Sequence, residues 1–337
     1  MPRRPLVVLS LAVVCSLAWA GAALAAPGGL GPPTPQTDTG EAISQIYWVV
    51  FAICAAVFVA VETALVLFIV RFRRRRGVAE DAEGPQVHGN TRLEVIWTII
   101  PALILVGIAV FTFARIPAVR ASGEASGGLR IRVDAHQFYW QYTYPKGGMT
   151  FDTLVLPVDR PVTLELHSAD VAHSWWVPSL TGKMDAIPGR TNELTFKPTR
   201  TGTYDGVCAE LCGVQHAVMY TQVRVLEGAA FDQAVAGAAS QSSVQLGAQE
   251  WSAVCAKCHG PDGEGDIGPA IAGNGTLTDF PSLQTLLRVT GQNTTQFEGY
   301  MPAVGKGWSD RQISSLIAYI KATPKLSAVQ GGTAGGG

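Results

Sequence analysis

The chain has 337 residues, 47% of them hydrophobic and only 15% charged, with a formal net charge of −1. Together with a positive mean hydropathy, that balance fits a membrane-anchored protein rather than a fully soluble one. So small a charge says little about partners, and nucleic acid is not expected among them.

The sequence starts M-P-R-R and runs almost uninterruptedly apolar to A-L-A at 23–25. A basic start, an apolar stretch and an A-x-A site read as a secretory signal over residues 1–25. Two more apolar runs, residues 43–70 and 93–114, are each long enough to cross a hydrocarbon core about 30 Å thick. The loop between them, 71–92, opens with R-F-R-R-R-R, and the positive-inside rule places it in the cytoplasm. Everything after Ala114 is then expected on the outer side of a bacterial-type plasma membrane, as is the segment before the first span.

This topology sorts the six cysteines. Cys15 lies in the signal, and Cys54 lies in a membrane span, where it reads as a small apolar packing residue. Cys208, Cys212, Cys255 and Cys258 fall outside, where oxidising conditions permit disulfides.

From 129 to 227 the chain alternates apolar and polar residues in short runs, as in L-R-I-R-V at 129–133 and Y-T-Q-V-R-V-L at 220–226. Pro and Gly turns separate them, which predicts a small β-sandwich or barrel. Residues 228–243 are rich in Ala, Gly, Ser and Gln and read as a flexible linker with a root-mean-square span of roughly 20 to 25 Å. A helical domain is predicted over 244–323, its last helix capped by Ser309 or Asp310. A Gly-rich tail follows over 324–337.

The stretch G-V-C-A-E-L-C-G-V-Q-H-A-V-M at 206–219 packs two thiols, an imidazole, a thioether and a carboxylate together. A disulfide would leave His216 and Met219 as coincidences, and zinc makes poor use of a thioether. Thiolate, thioether and imidazole together favour copper. A second imidazole, His173, follows a predicted strand.

The spacing of Cys208, Glu210, Cys212, His216 and Met219, with His173 upstream, resembles the binuclear copper centre of cytochrome c oxidase subunit II. The runs H-Q-F-Y-W-Q-Y at 136–142, D-A-I-P-G-R at 185–190 and E-V-I-W-T-I-I-P at 94–101 are similar to that family and in the same order. The resemblance implies a cupredoxin-like sandwich after a two-helix transmembrane segment. It implies that Cys208 and Cys212 bridge two copper ions, that His173 and His216 each bind one, and that Met219 and the Glu210 carbonyl are weak axial ligands. It further implies a magnesium ion shared with subunit I through the Glu210 carboxylate, a proton-path entrance at Glu94, and an electron path through Tyr139 and Trp140. Phe138 departs from the family, which has Trp there as the usual entry for electrons from a soluble cytochrome.

The motif C-A-K-C-H at 255–259 is the attachment signature for c-type haem, with Cys255 and Cys258 forming thioethers and His259 an axial ligand. Met301 is the expected sixth ligand, and Gly268 and Pro269 stand where domains of this haem-binding kind position a backbone carbonyl to orient the histidine. The segment resembles an all-α class I cytochrome c domain, and the fused order is similar to the caa-type haem-copper oxidases. That resemblance implies the electron-entry subunit of a proton-pumping respiratory oxidase, partnered by subunit I, subunit III and an upstream cytochrome or respiratory complex. The alternatives are the small subunit of a copper-containing nitric oxide reductase and a membrane-tethered electron carrier without a catalytic partner.

Overall fold

The computed structural model describes residues 31–73, 86, 89–120, 128–289, 293–294 and 299–327. The expected signal, most of the basic loop and residues 328–337 lie outside them. Two helices come first: α1, Asp38–Phe72, and α2, Thr91–Arg120. Both outrun the apolar stretches that predicted them. Helices of 35 and 30 residues are longer than a hydrocarbon core requires, since about 20 residues suffice. Apolar side chains such as Phe58 and Leu103, each 64% exposed, face outward, as they do on a helix solvated by lipid. Asn90 starts α2 by accepting from Leu93 N at 3.2 Å. The two helices form one compact unit, and most of the remaining chain forms another.

In the second unit, ten strands make two five-stranded sheets. Strands β1 (Leu129–His136), β2 (Tyr139–Thr143), β3 (Met149–Phe151), β5 (Val162–Ser168) and β8 (Asn192–Phe196) form the first, in the order β3-β2-β1-β5-β8. Strands β4 (Thr153–Pro157), β6 (His173–Trp176), β7 (Met184–Ala186), β9 (Gly202–Cys208) and β10 (Tyr220–Leu226) form the second, in the order β4-β10-β9-β6-β7. The alternation seen in the sequence has its physical use here. Leu129, Ile131, Val133 and Ala135 of β1 point into the core, while Arg130 and Arg132 point out, Arg130 reaching Glu165 at 2.6 Å. Trp140, Trp175, Phe196 and Leu164 fill the space between the sheets and are wholly buried. This is the predicted cupredoxin-like sandwich.

The linker expectation is overturned. Residues 228–239 form a helix, α3 (Gly228–Ala239), whose Phe231, Val235 and Ala238 are buried. Phe231 and Val235 join the sandwich core. Alanine is the strongest helix former, and an apolar residue every three or four positions gives α3 a face to lay on the sheet. Low complexity had concealed that pattern. Only residues 240–242 separate α3 from the next helix.

The helical domain opens with α4, Ser243–Glu250, capped by Ser242 and Gln245 in a reciprocal capping box. It continues through a π-helical turn, Trp251–Cys255, into the short helix Ala256–His259. Helix α5, Phe280–Arg288, follows, and then α6, Asp310–Ala322, whose N-cap is Ser309. A last helical turn, Pro324–Ser327, buries Leu326, so this domain extends beyond Thr323 into what the sequence suggested was tail.

If α3 is part of the sandwich rather than a tether, Phe231→Ala removes a buried aromatic from a shared core. The expected cost is about 3 kcal/mol of stability in the sandwich, read by urea unfolding of the purified chain. A flexible linker would show almost no change.

Candidate copper and haem sites

Strands β6 and β9 are antiparallel neighbours, with Trp175 opposite Cys208. The loop entering β6 and the loop leaving β9 therefore meet at one end of the sandwich. His173 is fully buried at the start of β6, and Cys208 is buried at the end of β9. Cys208 N donates to the Met219 carbonyl at 2.9 Å, closing the loop that carries Cys212, His216 and Met219. The donor atoms then converge. Cys208 Sγ lies 3.9 Å from His173 Nδ1 and 3.9 Å from Cys212 Sγ. Cys212 Sγ lies 3.6 Å from His216 Nδ1 and 3.7 Å from Met219 Sδ. The Glu210 carbonyl points at Cys208 Sγ from 3.2 Å. Both cysteines are free thiols.

Two soft sulfurs with one imidazole beside each and a thioether at the edge form a donor set suited to copper. The contact with Cys212, against burial and with help from His173, holds the Cys208 thiol well below its usual range. The same interaction and burial push Cys212 up.

Asp170 is a functional residue that the sequence reading passed over. Its Oδ1 is 2.8 Å from His173 Nε2, and its other oxygen accepts from Gln137 N at 2.7 Å. Burial pushes the Asp170 carboxyl up, but the His173 contact and the backbone N–H donors more than offset it and leave it lowered. A carboxylate on the far ring nitrogen fixes the imidazole so that Nδ1 faces the Cys208 sulfur. The only signal in the sequence was an acid three residues before His173. The Cys212 loop is pinned as well. Gln137 Nε2 donates to the Cys212 carbonyl at 2.6 Å, and Gly213, at φ 135°, holds a backbone conformation that a side chain would oppose.

The aromatic run divides between two faces because neighbouring residues on a strand point opposite ways. Trp140 turns inward, and its ring lies 6.1 Å from His173, edge to face. Tyr139 turns the other way, stacks on His136 at 4.6 Å and joins the core of the helical domain. Glu94 stands in the first turn of α2 and is exposed.

In the helical domain, Cys255 and Cys258 are free and half-buried. His259 is buried, and its Nδ1 lies 2.8 Å from the Pro269 carbonyl, a contact that fixes the ring. Gly268 makes this approach possible. A Cβ there would stand 2.9 Å from His259 Nδ1. Met301 packs half-buried against the same core as Tyr139, Phe151 and Trp308. These residues fit a covalently held haem.

The helical domain lies against the sandwich. Trp308 Nε1 donates to Tyr139 Oη at 2.8 Å, and that hydroxyl donates to the Val304 carbonyl at 2.5 Å. Gln312 Nε2 donates to Gln141 Oε1 at 3.0 Å.

Two apolar spans, a soft-metal cluster on a cupredoxin-like sandwich and a haem-attachment motif on a docked helical domain define a membrane-anchored electron-transfer protein. Family models for the transmembrane and periplasmic domains of cytochrome c oxidase subunit II match residues 26–114 and 149–226. A model of cytochrome c oxidase, cbb3-type, subunit III matches residues 242–320. Cytochrome c oxidase subunit 2 of Alkalihalophilus pseudofirmus is 32% identical over 82% of this chain and 87% of its own length. The subunit 2 of Cereibacter sphaeroides is 31% identical over 65% and 84%. The crystal structure of the periplasmic domain of subunit II from Bradyrhizobium japonicum is 35% identical, covers 33% of this chain and 92% of that one, and has a TM-score of 0.32. The chain belongs to the cytochrome c oxidase subunit II family, carries a fused cytochrome c domain, and is part of a multisubunit haem-copper oxidase. Neither alternative reading is favoured.

Asp170→Asn keeps the shape but removes the charge that orients His173. Copper affinity is expected to fall about 10-fold to 100-fold, measured by competition with a chelator of known strength, while haem content stays constant.

Proposed function

We propose that this subunit takes electrons from an external donor at its haem domain, delivers them to a pair of copper ions in the sandwich, and passes them to subunit I. Subunit I reduces oxygen there and pumps protons. The observation that carries this reading is the convergence of six donor groups at one end of the sandwich, together with the docked haem-attachment domain.

When bound, the copper ions and the haem iron take up and release one electron at a time. The protein holds them. His173, Cys208, Cys212, His216, Met219 and the Glu210 carbonyl are the proposed copper ligands. A count of two ions is supported by two thiols that each have an imidazole of their own within 4 Å, at 3.9 Å for Cys208 and 3.6 Å for Cys212. Burial of Cys208, Cys212 and Met219 excludes water and limits rearrangement when the charge changes. Glu210 turns its carbonyl towards Cys208 while the residue is exposed, which leaves its carboxylate for a magnesium ion shared with subunit I.

Cys255 and Cys258 are the proposed thioether anchors, with His259 and Met301 the axial ligands. Tyr139 facing the haem domain and Trp140 facing His173 form a pair of rings that crosses the sheet, which supports the proposed electron path. Glu94 is the proposed entrance of a proton path into subunit I. The proposed orientation places the copper and haem domains outside the plasma membrane and the basic loop inside. Subunit III and an upstream cytochrome or respiratory complex are the further partners.

Measuring copper and haem in the purified complex, and offering oxygen and nitric oxide separately, tests this function. Consumption of nitric oxide alone would overturn it. Cys212→Ser is expected to abolish the near-infrared copper band and oxygen consumption while the haem c spectrum is kept. Survival of the copper band would refute the ligand assignment. Met301→Ala is expected to leave haem covalently attached and to open its sixth position, read as new carbon monoxide binding at the reduced outer haem.

A further inference from the structure

The haem-attachment motif reaches the copper domain through Lys257, one of the two residues between its cysteines. Lys257 Nζ donates to the Phe138 carbonyl at 3.0 Å and pairs with Asp152 Oδ2 at 2.5 Å. Both side chains are largely covered, with 22% and 23% exposed. The Phe138 ring lies on the opposite side, against the copper loop. A Cβ on Gly213 would stand 3.0 Å from its Cε1 and Cζ, one residue from Cys212. Phe138 therefore touches the haem motif with its main chain and the copper loop with its ring.

The surrounding contacts are apolar or neutral. Tyr139, Phe151 and Trp308 pack together, and Gln141 meets Gln312. Lys257 with Asp152 is the one ion pair among the described residues that joins the two domains. Isolated ion pairs on an open surface contribute little. A covered pair differs, because removal of one partner leaves a charge in a poorly solvated place. Burial already pushes the Asp152 carboxyl up, and Lys257 pulls it partly back.

We propose that Lys257 is a positioning residue which, with Asp152 as counter-charge, seats the haem domain on the copper domain at Phe138. This rests on the electron relay proposed above. The step it serves moves one electron from the haem domain to the copper domain, with no bond made or broken and no proton transferred. Tunnelling decays exponentially with separation, so a domain held at Phe138 transfers faster than one that is released.

The test uses the complete oxidase, with the haem c and near-infrared copper bands confirming that both groups remain in place. Asp152 has φ 53°, and its Oδ1 accepts from Trp140 N at 2.9 Å. Asp152→Asn keeps that acceptor and tolerates the left-handed backbone, so it removes the charge alone and lies outside the haem motif. In Lys257→Met and Asp152→Asn, amide exchange in peptides covering 149–153 and 304–312 is expected to rise at least about tenfold. Flash-initiated transfer from haem to copper is expected to slow by a similar factor, and Lys257→Arg to restore both. Unchanged exchange and transfer in both charge-removing variants would overturn the proposal. If the unaltered protein shows no transfer from haem to copper, the relay reading fails, and the exchange measurement still decides whether Lys257 seats the domain.

Discussion

Strands β6 and β9 lie side by side and antiparallel, with Trp175 facing Cys208 across the ladder. That pairing brings a histidine from one loop and two cysteines from another to the same end of the sandwich, far apart in sequence but within hydrogen-bonding reach. Cys208 N, bonded to the Met219 carbonyl, makes the second loop return at the depth where Met219 is buried. Remove that ladder and the ligands become a collection of exposed soft donors. The fold thus supplies the entropy of assembly in advance.

The site also shows how a buried polar group is made tolerable. His173 has no exposed surface and would be costly there without a partner. Asp170 supplies one, and itself receives N–H donors from Gln137 and Val171. These contacts belong to the loop between β5 and β6 and to the run after β1, so the orientation of one imidazole depends on both sheets. His136 solves the problem differently. Burial lowers it to about 4, which keeps it neutral against Tyr139 at neutral pH.

Tyr139 links the two redox domains. Its ring belongs to the core of the helical domain, although the residue sits on β2 of the sandwich. The docked arrangement follows from helix α3 as much as from that contact. A tether that laid no apolar face on the sheet would leave the haem domain to find its seat by diffusion. Phe231 and Val235 instead join the sandwich core, and only a short turn remains before the capping box of α4. The helical domain is consequently a built part of the second unit.

Much of this was legible in the sequence because its causes are local. Length and hydropathy define the membrane helices, alternation defines strands such as β1 and β10, and the C-x-x-C-H and Cys-x3-Cys-x3-His spacings carry their chemistry within a single loop. The pairing of His259 with the Pro269 carbonyl was legible only through the resemblance to cytochrome c domains. Asp170 was not, because an acid three residues from a histidine acquires meaning only once the histidine is buried and its other nitrogen faces the thiols. Neither was α3, since a sequence of alanine, glycine and glutamine shows its apolar face only when a sheet is present to receive it. The contact of Lys257 with Asp152 and Phe138 lay furthest from view. Its partners are separated by more than a hundred positions, and a lysine between two haem-binding cysteines has no local preference for a residue on another domain. Sequence alone singled out the groups proposed to hold copper and haem. Tertiary structure decided which side chains orient them and how the two domains meet, because those choices depend on burial and on distances between strands that do not adjoin in the chain.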